Sequence, residues 1–261
     1  MIKALVSIEV DLAASRAIRF ACQLGNFIPM EIRPVYVKES PPRELAIGAG
    51  WARRHWEEEL VEQGQREISE MITSEIDYCQ VLQAPWVICG DRETELMKVM
   101  EQEAFDLFVD GERFDWTPLV LHKKLHSRLI QRYDGPVAMM RVLRRIEKLL
   151  VLCLDPPGTQ AAARVFPRLW AGCSLPVVLA VPAGGGEALL TEVARAGEAF
   201  KSAGCQVEVA ENFPHFPAPP SDELLRQYGL VGVPLERAVK KDSPEINWLC
   251  QVKVPLIMAP Y

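Results

Sequence analysis

The feature that most limits what this chain can fold into is a repeat within its own sequence. Ile246-Asn247-Trp248-Leu249-Cys250 and Val254-Pro255-Leu256-Ile257-Met258 align without a gap on Ser127–Gln131 and Gly135–Met139, and the proline matches. Upstream, Ala162, Val165, Phe166 and Leu169 repeat Ala17, Phe20, Ala21 and Leu24 at a constant offset. Lys148–Asp155 repeats the opening run Ala4–Glu9, acidic end included. Self-similarity of this kind means a duplicated unit. The sequence is therefore expected to hold two copies of one domain, about 1–143 and 146–261, joined by the short basic link Arg141–Lys148. The second copy is shorter, with trimmed helices and a proline-rich loop, Phe213–Pro220.

Each copy alternates short apolar runs with helical periodicity. Ala4–Ile8, Met30–Val37, Trp86–Cys89, Phe105–Gly111 and Gly135–Met140 read as strands buried on both faces. Tyr78–Leu82 is a further strand piece, and Pro34 suggests that its own strand is irregular or lies at an edge. Between them, helices are expected from Ser15, a candidate cap, to Leu24, over Trp51–Thr73 and Glu93–Glu103, and through His126–Ile130. A loop rich in turn residues covers Lys38–Gly50. In the second copy Pro176–Val181, Cys205–Ala210, Gly229–Val233 and Val254–Met258 continue the strands, with helices at Glu187–Ala203 and Asp222–Tyr228. Strict alternation of this sort builds an α/β fold: here two tandem, doubly wound parallel sheets.

Charge and composition narrow the function. A net charge of −6 and a pI near 5.4 argue against nucleic acid as a partner, which asks for a basic face. No apolar run reaches the roughly 20 residues of a membrane helix. The N-terminus turns acidic at Glu9, too soon for a secretory signal. Seven cysteines without CxxC spacing read as reduced thiols of a cytoplasmic protein, and Cys89, Cys153 and Cys250 as buried ones. Trp51, Trp56, Trp116, Trp170 and Trp248 read as core or interface residues. His122 and His126 share a helical face at a spacing of four, but no third metal ligand is in view. No Walker loop, GxSxG, HExxH or catalytic carboxylate pair is present, and the chain is read as no enzyme.

Open α/β sheets bind ligands beyond the carboxyl ends of their strands, which singles out the loop after Gly111. Arg113, His122, Lys123, Lys124, His126 and Arg128 gather positive charge there. They form either an anion site built from side chains or a solvated basic face. Gly184-Gly185-Gly186 before a helix is either an anion cradle or a flexible turn.

The order of these pieces resembles the universal stress protein family in its tandem form. The residues that carry the likeness are Ala4–Glu9, Gly90 ahead of Glu93–Glu103, Ala104–Gly111, and Arg128–Val137 leading into the last strand. Members that bind ATP carry a glycine at the end of the fourth strand, two residues, a second glycine, nine residues, then Gly-Ser or Gly-Thr. Here Gly111 is present, Phe114 replaces the second glycine, and the closing pair falls on or near Lys123-Lys124. In the second copy Pro234 stands where the first glycine belongs. The family places an acidic residue near the adenosine, which points to Glu9 or Asp11, and to Asp155 in the second copy. The resemblance implies a non-catalytic stress-response protein acting through protein partners or as a homodimer, with no bound cofactor and the ATP motif lost or altered. It leaves two alternatives: an ATP/ADP sensor with a modified first-copy site, using Glu9, Asp11, Gly111, Arg113, Lys123 and Lys124, or an α/β regulatory domain serving a transporter or electron-transfer protein. Family domains pair through their last strands, so Val137–Met140 and Leu256–Ala259 are expected to pair within one chain.

Overall fold

The apolar runs become the strands of one sheet. A computed structural model describes residues 1–39, 50–76, 79, 81–215 and 219–261. Most of the expected Lys38–Gly50 loop, Tyr78 and Gln80 of the Tyr78–Leu82 piece and the middle of the proline-rich loop therefore lie outside the described residues. The first half runs β1 (Ile2–Ile8), α1 (Leu12–Gly25), β2 (Met30–Lys38), α2 (Trp51–Ile76), β3 (Trp86–Cys89), α3 (Arg92–Gln102), β4 (Leu107–Asp110), α4 (Pro118–Leu125), α5 (Arg128–Arg132) and β5 (Val137–Met139). The second runs β6 (Lys148–Leu152), α6 (Pro156–Leu169), β7 (Val177–Pro182), α7 (Glu187–Ser202), β8 (Val207–Phe213), α8 (Asp222–Arg226), β9 (Gly229–Leu235), α9 (Pro244–Leu249) and β10 (Leu256–Pro260).

All ten strands join in the order β3-β2-β1-β4-β5-β10-β9-β6-β7-β8. Every neighbouring pair is parallel except the central one, where β10 runs antiparallel to β5 with Leu256 opposite Met139 and Met258 opposite Val137. The last strands thus pair within the chain, as the family resemblance led one to expect, and each half carries the same strand order on its side of the seam. Alternation along the strands feeds two apolar layers. One, under α1, α2, α6 and α7, holds Ala4, Phe20, Leu24, Phe166 and Trp170. The other, under α3, α4, α5, α8 and α9, holds Leu5, Phe108, Leu121 and Trp248. Both layers cross the seam: Ala138 and Ile257 enter the first, Val137, Met139, Leu256 and Met258 the second.

Several local expectations change. Pro34 sits in an inner strand, paired with Val6. Ile32, two residues earlier, gives its N–H to Val81 O on the β3 side, so the missing donor of Pro34 faces that side, where the regular ladder begins only at Val35–Trp86. Ser15 lies inside α1, not at its cap, and its hydroxyl donates to Glu75 at 2.9 Å. The helix expected through His126–Ile130 is two helices, because His126 ends α4 and Ser127 caps α5. The seven cysteines are not all reduced: Cys22 and Cys79 form a disulfide, whereas Cys153, Cys173, Cys205 and Cys250 are buried free thiols. No short spacing announces that bond, since 57 residues separate its ends. Trp170 and Trp248 are buried, whereas Trp51 is 75% exposed. No helix among the described residues is long and apolar enough to cross a membrane.

Candidate functional site

The carboxyl ends of β1 and β4 lie side by side, with Ser7 opposite Asp110. Asp110 ends a strand of fully buried residues and is itself buried, and a carboxylate there requires cations. Two arrive. Arg92 opens α3 just after the Asp91 cap, and its guanidinium donates to Asp110 Oδ1 at 2.9 Å, Ser7 Oγ at 2.7 Å and Glu9 Oε1 at 3.1 Å. Its third nitrogen meets Glu112 at 2.9 Å. Lys124, in the last turn of α4, reaches Asp110 Oδ2 at 2.6 Å and also bonds Glu112. The Lys124 ammonium lies 5.7 Å from the centre of the Phe114 ring.

Burial alone would lift the Asp110 pKa, but the Lys124 and Arg92 charges outweigh it and hold the carboxyl below its ordinary value. Glu9 goes the other way: burial raises it, and the pull of Arg92 does not compensate. Burial also works against the Arg92 charge, yet Asp110, Glu112 and Glu9 prevail and hold it protonated. Three carboxylates therefore surround two cations, leaving the cluster one negative charge in excess.

The backbone beside this cluster is also engaged. Gly111 N–H donates to Ser7 O at 3.0 Å, and Glu112 N–H donates to the Asp110 carboxylate at 3.1 Å. A Cβ on Gly111 would stand 2.3 Å from Ser7 O. Glycine is needed here so that β4 can leave the sheet against β1, and its N–H closes a protein hydrogen bond.

Next to the cluster, a cleft of about 1360 Å³ opens between α1, α2 and the ends of β1, β4 and β5. Asp11, Gly111 and Arg113 line it. Glu9 and Lys124 belong to the ion-pair cluster behind, and Lys123 is exposed on α4 outside the cleft lining. The structure thus brings together five of the six candidate residues and leaves Lys123 apart. Phe114 and Trp116 stack with ring centres 4.7 Å apart on the cleft wall. Among the described residues, seven carboxylates and four arginines line the cleft, an acidic balance. His122 and His126 stack on each other at 4.0 Å, and no group of three potential metal ligands occurs among the described residues.

The corresponding place in the second half is closed. Asp155 caps α6, accepting the Gly158 N–H at 2.7 Å, so its bond is to backbone. Beside it, burial, reinforced by neighbouring carboxylates, Asp155 among them, pushes the Tyr261 phenol up to about 12. Pro234 packs so near that a Cβ on Gly158 would touch it at 3.3 Å. Gly186 caps α7 with no side-chain bond, and Glu187 in the first turn answers the helix dipole.

Sequence reasoning missed Arg92, Asp110, Glu112 and Ser7. A signal existed in Asp110, a carboxylate closing the apolar run Leu107–Val109, which has to be paired if buried. Its partners come from two other helices and only the topology reveals them.

A doubly wound sheet in this strand order, with its cleft at the carboxyl edge, is the universal stress protein fold. Among solved structures, a universal stress protein from Archaeoglobus fulgidus DSM 4304 is similar at a TM-score of 0.62 and 13% identity, over 99% of this chain and 96% of that one. A putative universal stress protein from Pseudomonas aeruginosa UCBPP-PA14 is similar at a TM-score of 0.50 and 14% identity, over 99% of this chain and 92% of that one. A functionally unknown protein from Pseudomonas aeruginosa PAO1 is similar at a TM-score of 0.50 and 15% identity, over the same shares. No family model and no curated protein matches the sequence.

Proposed function

We propose that this chain is a non-catalytic tandem universal stress protein, with copies at about 1–143 and 146–261, that works in the cytoplasmic stress response through protein partners. In this reading the first-copy ATP site has been converted into an internal ion-pair cluster. The observation that carries it is the state of the donors after β4. The Gly111 and Glu112 N–H groups are both bonded within the protein, and Arg92 and Lys124 are matched by Asp110, Glu9 and Glu112. A triphosphate would have to displace carboxylates from both cations and enter an acidic cleft, without the open glycine cradle that phosphate sites use. The second copy supports the reading, since Asp155 and Pro234 occupy the equivalent place.

Thermal unfolding with and without millimolar ATP or ADP and magnesium tests it. A ligand at a hundred times its Kd that binds only the folded state adds about 2.7 kcal/mol. No shift is expected. A clear shift that disappears in Arg113→Ala or Lys124→Ala makes the chain a nucleotide sensor instead.

A further inference from the structure

The basic link Arg141–Lys148 joins the two halves and is pinned along its length. It leaves β5 and enters β6, with β10 and β9 between them, so it crosses three strand spacings, about 14 Å. The Arg141 guanidinium donates to Cys250 O at 3.1 Å, and that of Arg144 to Lys253 O at 3.3 Å. Glu147 and Lys148 give their N–H groups to Tyr228 O at 3.1 and 2.9 Å. Gly229 follows with a φ of 80°, and a Cβ on it would collide with Arg145 O. From α1, Arg16 donates to Arg141 O at 2.8 Å. The link is thus a fixed strip across the seam and not a loose tether.

The positive charge on this strip is largely uncompensated. Elsewhere Arg33, Arg168, Arg195 and Arg226 meet carboxylates. Arg16, Arg141 and Arg144 meet backbone carbonyls instead, and none of the three forms an ion pair among the described residues. A carbonyl fixes one nitrogen of a guanidinium without cancelling its charge, and leaves the other donors of the fork for a ligand. Arg145 and Lys253, both exposed, extend the strip. Two carboxylates stand close. Glu147 lies 4.0 Å from Arg145 in an exposed setting, where such a pair is worth little. Asp222 is taken by Arg226 and by the Lys253 N–H.

We propose that this strip, Arg16, Arg141, Arg144, Arg145 and Lys253, is a docking surface for an acidic segment of a partner protein. The proposal rests on the reading that the chain works through protein partners, and names the chemistry of the partner. Guanidinium forks held in place by carbonyls suit carboxylates, which they bind two nitrogens to two oxygens. A span of about 14 Å takes about four extended residues, so the ligand is a short stretch rich in Asp and Glu. A long polyanion would run past the strip onto a chain whose net charge is −6, which disfavours nucleic acid as the occupant.

Fluorescence anisotropy of a labelled hexaglutamate peptide titrated with the full chain tests it. Binding should appear at low salt and vanish in about 0.5 M salt, where screening acts over a few ångströms. Arg145→Glu combined with Lys253→Glu should weaken binding by about tenfold or more, because like charges would then meet. Neither side chain makes a hydrogen bond among the described residues, so this variant should melt with wild type. Lys240→Glu combined with Lys241→Glu lies beyond the far end of β9, makes the same change in net charge, and should bind as wild type does. Absence of binding at low salt overturns the proposal, and so does an equal loss in both double variants. Single-stranded DNA or phosphatidylserine vesicles bound more tightly than the peptide would overturn the choice of occupant. The ATP melting curve is independent of every one of these readouts, so the strip and the wider reading can fail separately.

Discussion

Asp110 shows how much of the site rests on one side chain. Its carboxylate is buried between Arg92 and Lys124, and removing its charge leaves both cations without their shared partner. Breaking a buried pair from one side costs about 3–5 kcal/mol, so Asp110→Asn should destabilise the chain by about 3 kcal/mol in urea unfolding. The pH dependence follows from its direction of shift. The folded pKa lies below the ordinary value, so the stabilisation is present above the ordinary carboxylate pKa and is lost as pH falls through the folded one. The gap between Asp110→Asn and wild type should therefore close on acidification below about pH 4. Glu9 has the opposite sign: its raised pKa costs stability at neutral pH, and that cost disappears as pH falls through the folded value. Glu9→Gln, which keeps an acceptor for Arg92, should unfold at a temperature equal to or above wild type at pH 7. Gly111→Ala should cost about 1–3 kcal/mol, because its Cβ would meet Ser7 O at 2.3 Å and the two strands would have to part. An unchanged melting temperature would refute that contact. Gly111 itself was legible in the sequence as a special position, but its reason was not: the glycine serves the approach of two strands.

At the scale of elements, α5 is a helix of five residues whose end is held from the other half of the chain. The Arg237 guanidinium donates to Ile130 O at 2.9 Å, Gln131 O at 2.8 Å and Tyr133 O at 2.8 Å, while Gln131 donates back to Arg237 O at 3.2 Å. These are the carbonyls that a short helix leaves without partners, and a cation there also suits the dipole. Arg237→Ala should cost about 2 kcal/mol, in the range of hydrogen bonds to a charged group. Arg237→Lys should recover little, because one ammonium cannot span the same fork. The measurement is chemical denaturation of both variants, and equal stability of lysine and arginine would dismiss the fork. Apolar periodicity made most elements visible: Ala17, Phe20, Ala21 and Leu24 are all fully buried. It did not show the break between α4 and α5, where the local signal is a polar one, the Ser127 hydroxyl accepting the Ile130 N–H. Nor did it show Arg237, whose partners lie more than a hundred residues away.

At the scale of the whole molecule, the central seam was legible through the family resemblance and not through any one residue: the expected pairing of Val137–Met140 with Leu256–Ala259 is met by β5 and β10. The seam also decides where charge can be tolerated. The sheet's outer edges are guarded in ways that edge strands commonly are: β3 has four residues, and β8 exposes Glu208 and Glu211 and carries Asn212 at a φ of 57°. The inner edges have no such guard, since Val137, Ala138, Met139, Leu256, Ile257 and Met258 are all essentially inaccessible. Two substitutions separate the cases. Val209 on β8 is 52% exposed, and Val209→Lys should change stability by no more than about 0.5 kcal/mol. Ile257 on β10 is 0% exposed and lies in the apolar layer shared by both halves. Ile257→Lys would bury an ammonium with no carboxylate designed to meet it, at a cost of several kcal/mol, a large fraction of the total stability of a domain. Circular dichroism through a urea titration should show the Val209 variant unfolding with wild type and the Ile257 variant unfolding far earlier or already unfolded. If both variants behaved alike, β5 and β10 would not be the buried join that keeps ten strands in one sheet.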